Sequence, residues 1–358
     1  MRANYAGFHK RAGVLALSAS FFLLSAALGR AQIVSDGNPD QTINLSVSNA
    51  DKVEAGRATS IGKKMILPPK TGYGVRERQK ELATDAGASA APVIDISGDD
   101  EGTVPTPGYY TTDLSYLGGP VITDMESHPI YLNTLPKTVG YPGTLLRDLG
   151  KSNMVHVIDQ YVGATADNRY RAGLGAALIF IPPFSGPLHD SDMLTIAHAA
   201  AKYFGKAGYH AEFHIFTGPG QDICFSNTPP LMCYSPDNPA TFFFCAYHGS
   251  AVFSDIGEVI YSVQPYVDVP GCNVGTPSPN GPVIDSTMSA LSHEFFESIT
   301  DPDGDAWLDI TGNGLYGSEI GDICEKVPFV YPFVKLNGRK YELQAEYSNK
   351  YHGCAYVP

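Results

Sequence analysis

One stretch of the chain sets a histidine and two carboxylates at ligand spacing: Ser292-His293-Glu294-Phe295-Phe296-Glu297. In a helix, residues four apart share a face, so His293 and Glu297 can hold one metal ion, the geometry an HExxH pattern uses for zinc. Glu294 then stands beside the ion as a general base toward a bound water. A carboxylate at 297 in place of a second imidazole lowers affinity for zinc and widens the choice of metal. At about 100° per residue, Met288, Leu291, Phe295 and Ile299 form one apolar stripe, and the polar trio points away from it toward an expected cleft. Catalytic zinc takes three protein ligands and a water. Glu319 in Ser318-Glu319-Ile320-Gly321-Asp322 is the first candidate for the third, Asp322 the second and His248 the next. The other histidines, His128, His198 and His214 among them, have no partner at such spacing on an expected helix.

Carboxylates at Asp301, Asp303, Asp305 and Asp309 follow the helix and suggest an oxygen-rich calcium loop. Its twelfth position is Gly312 rather than Glu, so it is not an EF-hand. No GxSxG elbow, P-loop or dinucleotide fingerprint accompanies these groups.

The elements that must position these residues are legible in outline. The helix carrying the trio is expected over 285–300. A capped amphipathic helix runs from Asp190 through Phe204 to a stop at Gly208. Another is expected over 144–162. Strands are expected at 117–122, 129–132, 174–182, 209–216, 242–247 and 258–266, with a hairpin over 333–344 turning at Asn337-Gly338. The order implies an α/β (α+β) fold with helices packed on a mixed sheet and a disulfide-tied C-terminal segment.

Residues 1–31 read as a signal peptide: a basic start, an apolar run, then small residues before a cleavage point. That segment holds four basic residues and no acid, which leaves the mature chain more acidic than the overall charge of −13. Residues 32–107 contain a single aromatic, Tyr73, and are expected to be a disordered linker or a pro-segment, with a short helix near 76–83. The globular domain is assigned to 108–358. Six cysteines, Cys224, Cys233, Cys245, Cys272, Cys324 and Cys354, suit an exported chain with three disulfides. Fifteen connectivities are possible, and sequential pairing is the expectation. Localisation is therefore extracellular or periplasmic. The acidic balance and the lack of a basic block exclude nucleic acid as a partner, and no membrane association is expected after signal cleavage.

Several phrases in order resemble the exordium-like (phosphate-induced) family of secreted proteins and its bacterial relatives. They are Tyr116-Leu117-Gly118-Gly119-Pro120-Val121, Val157-Ile158-Asp159-Gln160-Tyr161, Phe244-Cys245-Ala246-Tyr247-His248, and Leu291-Ser292-His293-Glu294 on to Thr300-Asp301-Pro302. Glu319-Ile320-Gly321-Asp322-Ile323-Cys324 and Tyr347-Ser348-Asn349 with Cys354 extend the match, which covers about 108–358. The resemblance implies a secreted or wall-associated protein. Plant members have no established catalytic activity and lack the His-Glu pair at 293–294, which bacterial-type sequences keep. With that pair, the helix and its downstream acids resemble a zincin-like core. The functional expectation is a secreted metal-dependent hydrolase acting on a peptide or protein. The alternative is a non-catalytic extracellular binding protein for a cell-surface glycan.

Overall fold

The computed structural model describes residues 30–34, 44–45, 58–61, 65–67, 93–95, 106–107, 112–181, 186–225, 231–235, 242–269, 271–274, 278–311, 319–325 and 333–358. Strands β1 (Asp124–Leu132), β2 (Arg171–Leu174), β3 (Ala177–Ile181), β4 (Ala211–Thr217), β5 (Ala246–Phe253) and β6 (Gly257–Gln264) build a mixed sheet. Its helices are α1 (Pro142–Leu149), α2 (Asp190–Phe204) and α3 (Pro282–Thr300). The strands lie in the order β3-β1-β4-β6-β5, the first four parallel and β5 antiparallel; β2 pairs alongside β1. Among the described residues, no helix is long and apolar enough to cross a membrane.

Both edges of this core are extended by the N-terminal part of the chain. Arg30–Val34 pairs antiparallel with β3. Ala58–Ile61 and Met65–Leu67 both pair antiparallel with β5. Within the stretch expected to be a linker or pro-segment, the described residues are strands: those just named join this sheet, while Val93–Asp95 pairs with Phe333–Leu336 and Thr106–Pro107 with Gly353–Ala355. Residues 1–29 and the helix expected near 76–83 lie outside the described residues.

Side chains alternate across a strand, so each sheet face has its own composition. The face under α2 is apolar: Phe213, Ile215, Tyr247, Tyr261 and Val263 meet Met193, Ile196, Ala197 and Ala200. Each fully buried large side chain there stabilises the fold by roughly 1.5–3 kcal/mol. The face under α3 is polar. It presents His248 and Ser250 from β5, Ser262 and Gln264 from β6, and Glu212 and His214 from β4, none more than 2% exposed. The other side of α3 packs Met288, Leu291, Phe295 and Ile299 against Leu145, Leu149, Ile158, Val334 and Leu336. The last two belong to β7 (Phe333–Leu336), which pairs with β8 (Arg339–Tyr341) through the Asn337-Gly338 turn, both residues at positive φ. Strands β9 (Glu346–Ser348) and β10 (Gly353–Ala355) follow. Helix α3 thus lies between two layers.

Cys224–Cys233, Cys245–Cys272 and Cys324–Cys354 are bonded, the sequential pairing. Other strand and helix ends shift by a few residues, and four departures from the sequence reading are larger or have a clear local cause. The helix expected over 144–162 ends at Gly150, where an added Cβ would lie 2.3 Å from the Ala172 carbonyl oxygen, and resumes as a 3-10 segment, Asn153–Gln160. Residues 117–122 form no strand, because the amides of Leu117 and Gly119 bond the carbonyls of Ala306 and Asp305 (2.7 and 3.0 Å) and bend the chain around the acidic loop. Helix α2 stops at Gly205, in the left-handed conformation, ahead of Gly208. The strand expected over 242–247 is β5, starting and ending later.

Candidate metal centre

Helix α3 opens on Pro282, whose fixed φ suits a first turn, and Asp285 accepts the Asn280 amide at 2.7 Å. From Asp285 to Thr300 every residue is buried. His293 and Glu297 meet as the helical spacing requires, His293 Nε2 lying 3.0 Å from Glu297 Oε1. Asp322 Oδ1 approaches the same nitrogen at 3.7 Å. The His293 ring is held from behind: its Nδ1 lies 3.3 Å from Gln344 Oε1, and Gln344 Nε2 donates to the Gly321 carbonyl at 2.8 Å. The Asp322 amide donates to Glu297 Oε1 at 3.1 Å. A side chain at Gly321 would place its Cβ 2.7 Å from His293 Nδ1 and 2.9 Å from Glu297 Oε1, so this backbone approach requires glycine.

From the sheet side, β5 presents His248 to the same helix. Its Nδ1 lies 3.0 Å from Glu294 Oε2 and 3.9 Å from Glu297 Oε2. Its Nε2 faces the Asp301 carbonyl at 3.3 Å and Glu319 Oε1 at 3.6 Å. Two groups of side chains therefore have ligand atoms close enough to share an ion: His293, Glu297 and Asp322, and His248, Glu294 and Glu297. Donors 2.0–2.1 Å from a tetrahedral ion stand about 3.3 Å apart. The observed spacings, 3.0 and 3.7 Å in the first group and 3.0 and 3.9 Å in the second, bracket that value.

Glu319, the first choice for the third ligand, stands beside His248 instead, and Asp322 takes the place next to His293. One 3-10 turn, Asp322–Cys324, explains the swap, because its start fixes Asp322 against Glu297. The acidic loop expected to bind calcium shows no such cluster among the described residues. No three of Asp301, Asp303, Asp305 and Asp309 share an ion-sized space. Asp301 Oδ1 accepts the amides of Asp305 and Ala306 (2.7 and 2.6 Å), Asp303 accepts the Tyr209 hydroxyl (2.7 Å) and Asp309 accepts the Thr311 amide (2.9 Å). One oxygen of each of these three carboxylates serves a turn or a tyrosine, while Asp301 Oδ2, Asp303 Oδ1 and Asp309 Oδ2 have no hydrogen-bond partner.

The centre is acidic and dry. Burial, then repulsion from Glu297, raises Glu319 and Asp322 well above the usual carboxylate range. Burial also raises Glu294, against the hydrogen bond from His248. Burial alone would depress both imidazoles, but Glu297 holds His293 well above its ordinary value, and the Glu294 bond lifts His248 to about 9. Among the atoms without a hydrogen-bond partner are His293 Nε2, Glu294 Oε1, Glu297 Oε2, Asp322 Oδ1 and both Glu319 carboxylate oxygens. Unpaired buried charges are expensive, and a divalent cation is the partner this donor set fits.

Below the centre, Glu212 and His214 approach to 3.4 Å. Burial pushes the carboxyl up to about 8 and the imidazole down to about 3, so both are neutral and the contact is no ion pair. His214 Nδ1 bonds Ser262 and Glu212 accepts the Ser298 hydroxyl (2.8 and 2.9 Å). Glu212 and His214 share one face of β4, but sequence spacing gave no sign of the layer, because Ser262 and Ser298 reach them from other elements. Gln344 was equally unmarked. The phrases that carry the family resemblance have structural roles here. Gly119 lies against the Asp305 backbone with no room for a Cβ. Tyr161 donates to the Tyr347 carbonyl and accepts from the Asn349 amide, both at 2.9 Å.

The six ligand candidates are at most 2% exposed. Surface clefts lined by Arg169, by Tyr141 and by Lys206 open elsewhere. No protein-family model, no curated protein and no solved structure matches this chain.

Proposed function

We propose that the chain is an exported metal-dependent hydrolase acting on a peptide or protein, with a zincin-like core and kinship to the exordium-like family. The observation that carries this reading is the buried convergence of His293 Nε2, Glu297 Oε1 and Asp322 Oδ1. A divalent transition ion, zinc in the first instance, would supply Lewis acidity for a substrate carbonyl and for water. His293, Glu297 and Asp322 would hold it. Gln344 fixes the His293 tautomer and ring plane. Glu294 keeps Oε2 on His248 and leaves Oε1 unpartnered, positioned to take a proton from water and return it to the leaving amine. Burial raises its pKa above the ordinary carboxylate value, the direction that favours returning a proton to the leaving group. Three disulfides fit an oxidising compartment.

The N-terminal strands support a covering role. Met65–Leu67 pairs with Ala246, Tyr247 and His248, on the edge of the strand that contributes His248 to the centre. Removal of that segment uncovers the edge. A second reading, a non-catalytic extracellular glycan-binding protein with a structural ion, is favoured by the sealing of the site.

Metal analysis and a peptide-hydrolysis panel, run on the full chain and after proteolytic removal of the N-terminal stretch, separate the two. The hydrolase reading expects bound transition metal and turnover once the cover is gone. Glu294→Gln should retain metal at His293 while losing about 10²–10⁴-fold in rate. Full activity in that variant removes Glu294 as the base. Metal without turnover in either form selects the binding protein.

A further inference from the structure

We infer that the centre takes a second divalent cation, between His248 Nδ1, Glu294 Oε2 and Glu297 Oε2, with Glu297 bridging it to the ion at His293 and Asp322. The inference rests on the metal-dependent reading above and adds a site to it.

Glu297 divides its carboxylate between the two histidines. Oε1 lies 3.0 Å from His293 Nε2, and Oε2 lies 3.9 Å from His248 Nδ1 without a hydrogen bond of its own. That is the disposition of a carboxylate shared by two ions, which in two-metal centres stand about 3.5–4 Å apart. Both rings are also held as ligands are held. A ligating imidazole donates its other N–H to a carbonyl or similar acceptor. His293 turns Nδ1 to Gln344 Oε1 and its Nε2 to Glu297 Oε1, and His248 turns Nε2 to the Asp301 carbonyl and its Nδ1 to Glu294 Oε2 at 3.0 Å, with Glu297 Oε2 next at 3.9 Å.

Charge supports the same count. Glu294, Glu297, Glu319 and Asp322 carry four negative charges when ionised, all of them buried. One divalent ion leaves half of that charge uncompensated in a buried site; two neutralise it. Glu319, with both oxygens unpartnered, stands on the Nε2 side of His248 and lies outside this donor set. Mixed imidazole and carboxylate donors suit zinc or manganese rather than calcium, which takes six to eight oxygens. An ion on Glu294 Oε2 engages the group that serves as base, so a filled second site restrains hydrolysis.

The test is ion counting on the purified full chain, saturated with zinc or manganese and read by native mass spectrometry. Electron paramagnetic resonance of the manganese form provides the second measurement. Two ions per chain and a spin-coupled manganese pair are expected, falling to one ion and an isolated manganese signal in Glu294→Gln and in His248→Ala. The glutamine variant preserves side-chain volume and can still accept the His248 proton, so it reports even where the alanine variant fails to fold. One ion in the unaltered chain, or two that persist in Glu294→Gln, overturns the second site alone. No ion in any form overturns the hydrolase reading as well.

Discussion

Gly321 governs whether the proposed metal ligands can meet. Its backbone lies so close to His293 and Glu297 that even a methyl group must displace one of them. The residue's φ is −78°, an ordinary value, so the requirement is for space and not for a left-handed turn. Gly321→Ala is expected to weaken metal binding by at least about tenfold, in the range for disturbing groups that orient ligands, and to lower stability by about 1–3 kcal/mol. Metal titration of the variant checks this; unchanged affinity would mean that the loop relaxes freely. At this scale the sequence was a partial guide. His293, Glu294 and Glu297 were legible because a helix has one period. Asp322 rather than Glu319 stands beside His293, because the two sit on a short turn whose direction depends on a hydrogen bond to Glu297, a contact made across 25 residues. His248 ranked last for a related reason. With the strand placed at 242–247, it fell just outside, whereas β5 carries it in its interior.

At the scale of elements, the helix periodicity correctly separated the apolar stripe from the polar trio. It did not reveal what each face would meet. The polar face was expected to border a cleft, yet the sheet beneath it supplies His248, Glu212, His214 and Ser262, and the segment after residue 318 covers it from the other side. One helix's pattern contains no information about the layer that packs on its polar side. The clamp on that layer is Cys324–Cys354, which ties the turn carrying Asp322 to β10. Closing a loop of 30 residues stabilises the fold by about 3–4 kcal/mol in the chain-entropy account. Replacing both cysteines by serine should lower stability by that order and loosen Asp322 more than His293. Chemical denaturation should show the loss, and the metal dissociation rate should rise. A double variant with normal metal retention would show that the hairpin and β9 hold the turn without the bridge.

At the scale of the molecule, the organisation pairs one ordinary core with one costly one. The face under α2 is a conventional apolar interior that provides stability. The face under α3 buries carboxylates, imidazoles and hydroxyls, some without partners, which opposes folding unless a cation occupies the centre. Metal binding and folding are then linked, because an ion that binds only the folded chain adds RT ln(1 + [L]/Kd) to its stability. At free metal about 100 times Kd this is about 2.7 kcal/mol. A domain of this size shifts by about 2–4 °C per kcal/mol, so chelation should lower the melting temperature by roughly 5–10 °C. Scanning calorimetry with and without chelator measures the shift, and Asp322→Ala, with one ligand fewer, should show a smaller one. An identical melting temperature after verified metal removal would mean that the buried acids are balanced by protons alone, and that the polar layer is a structural feature with no need of an ion.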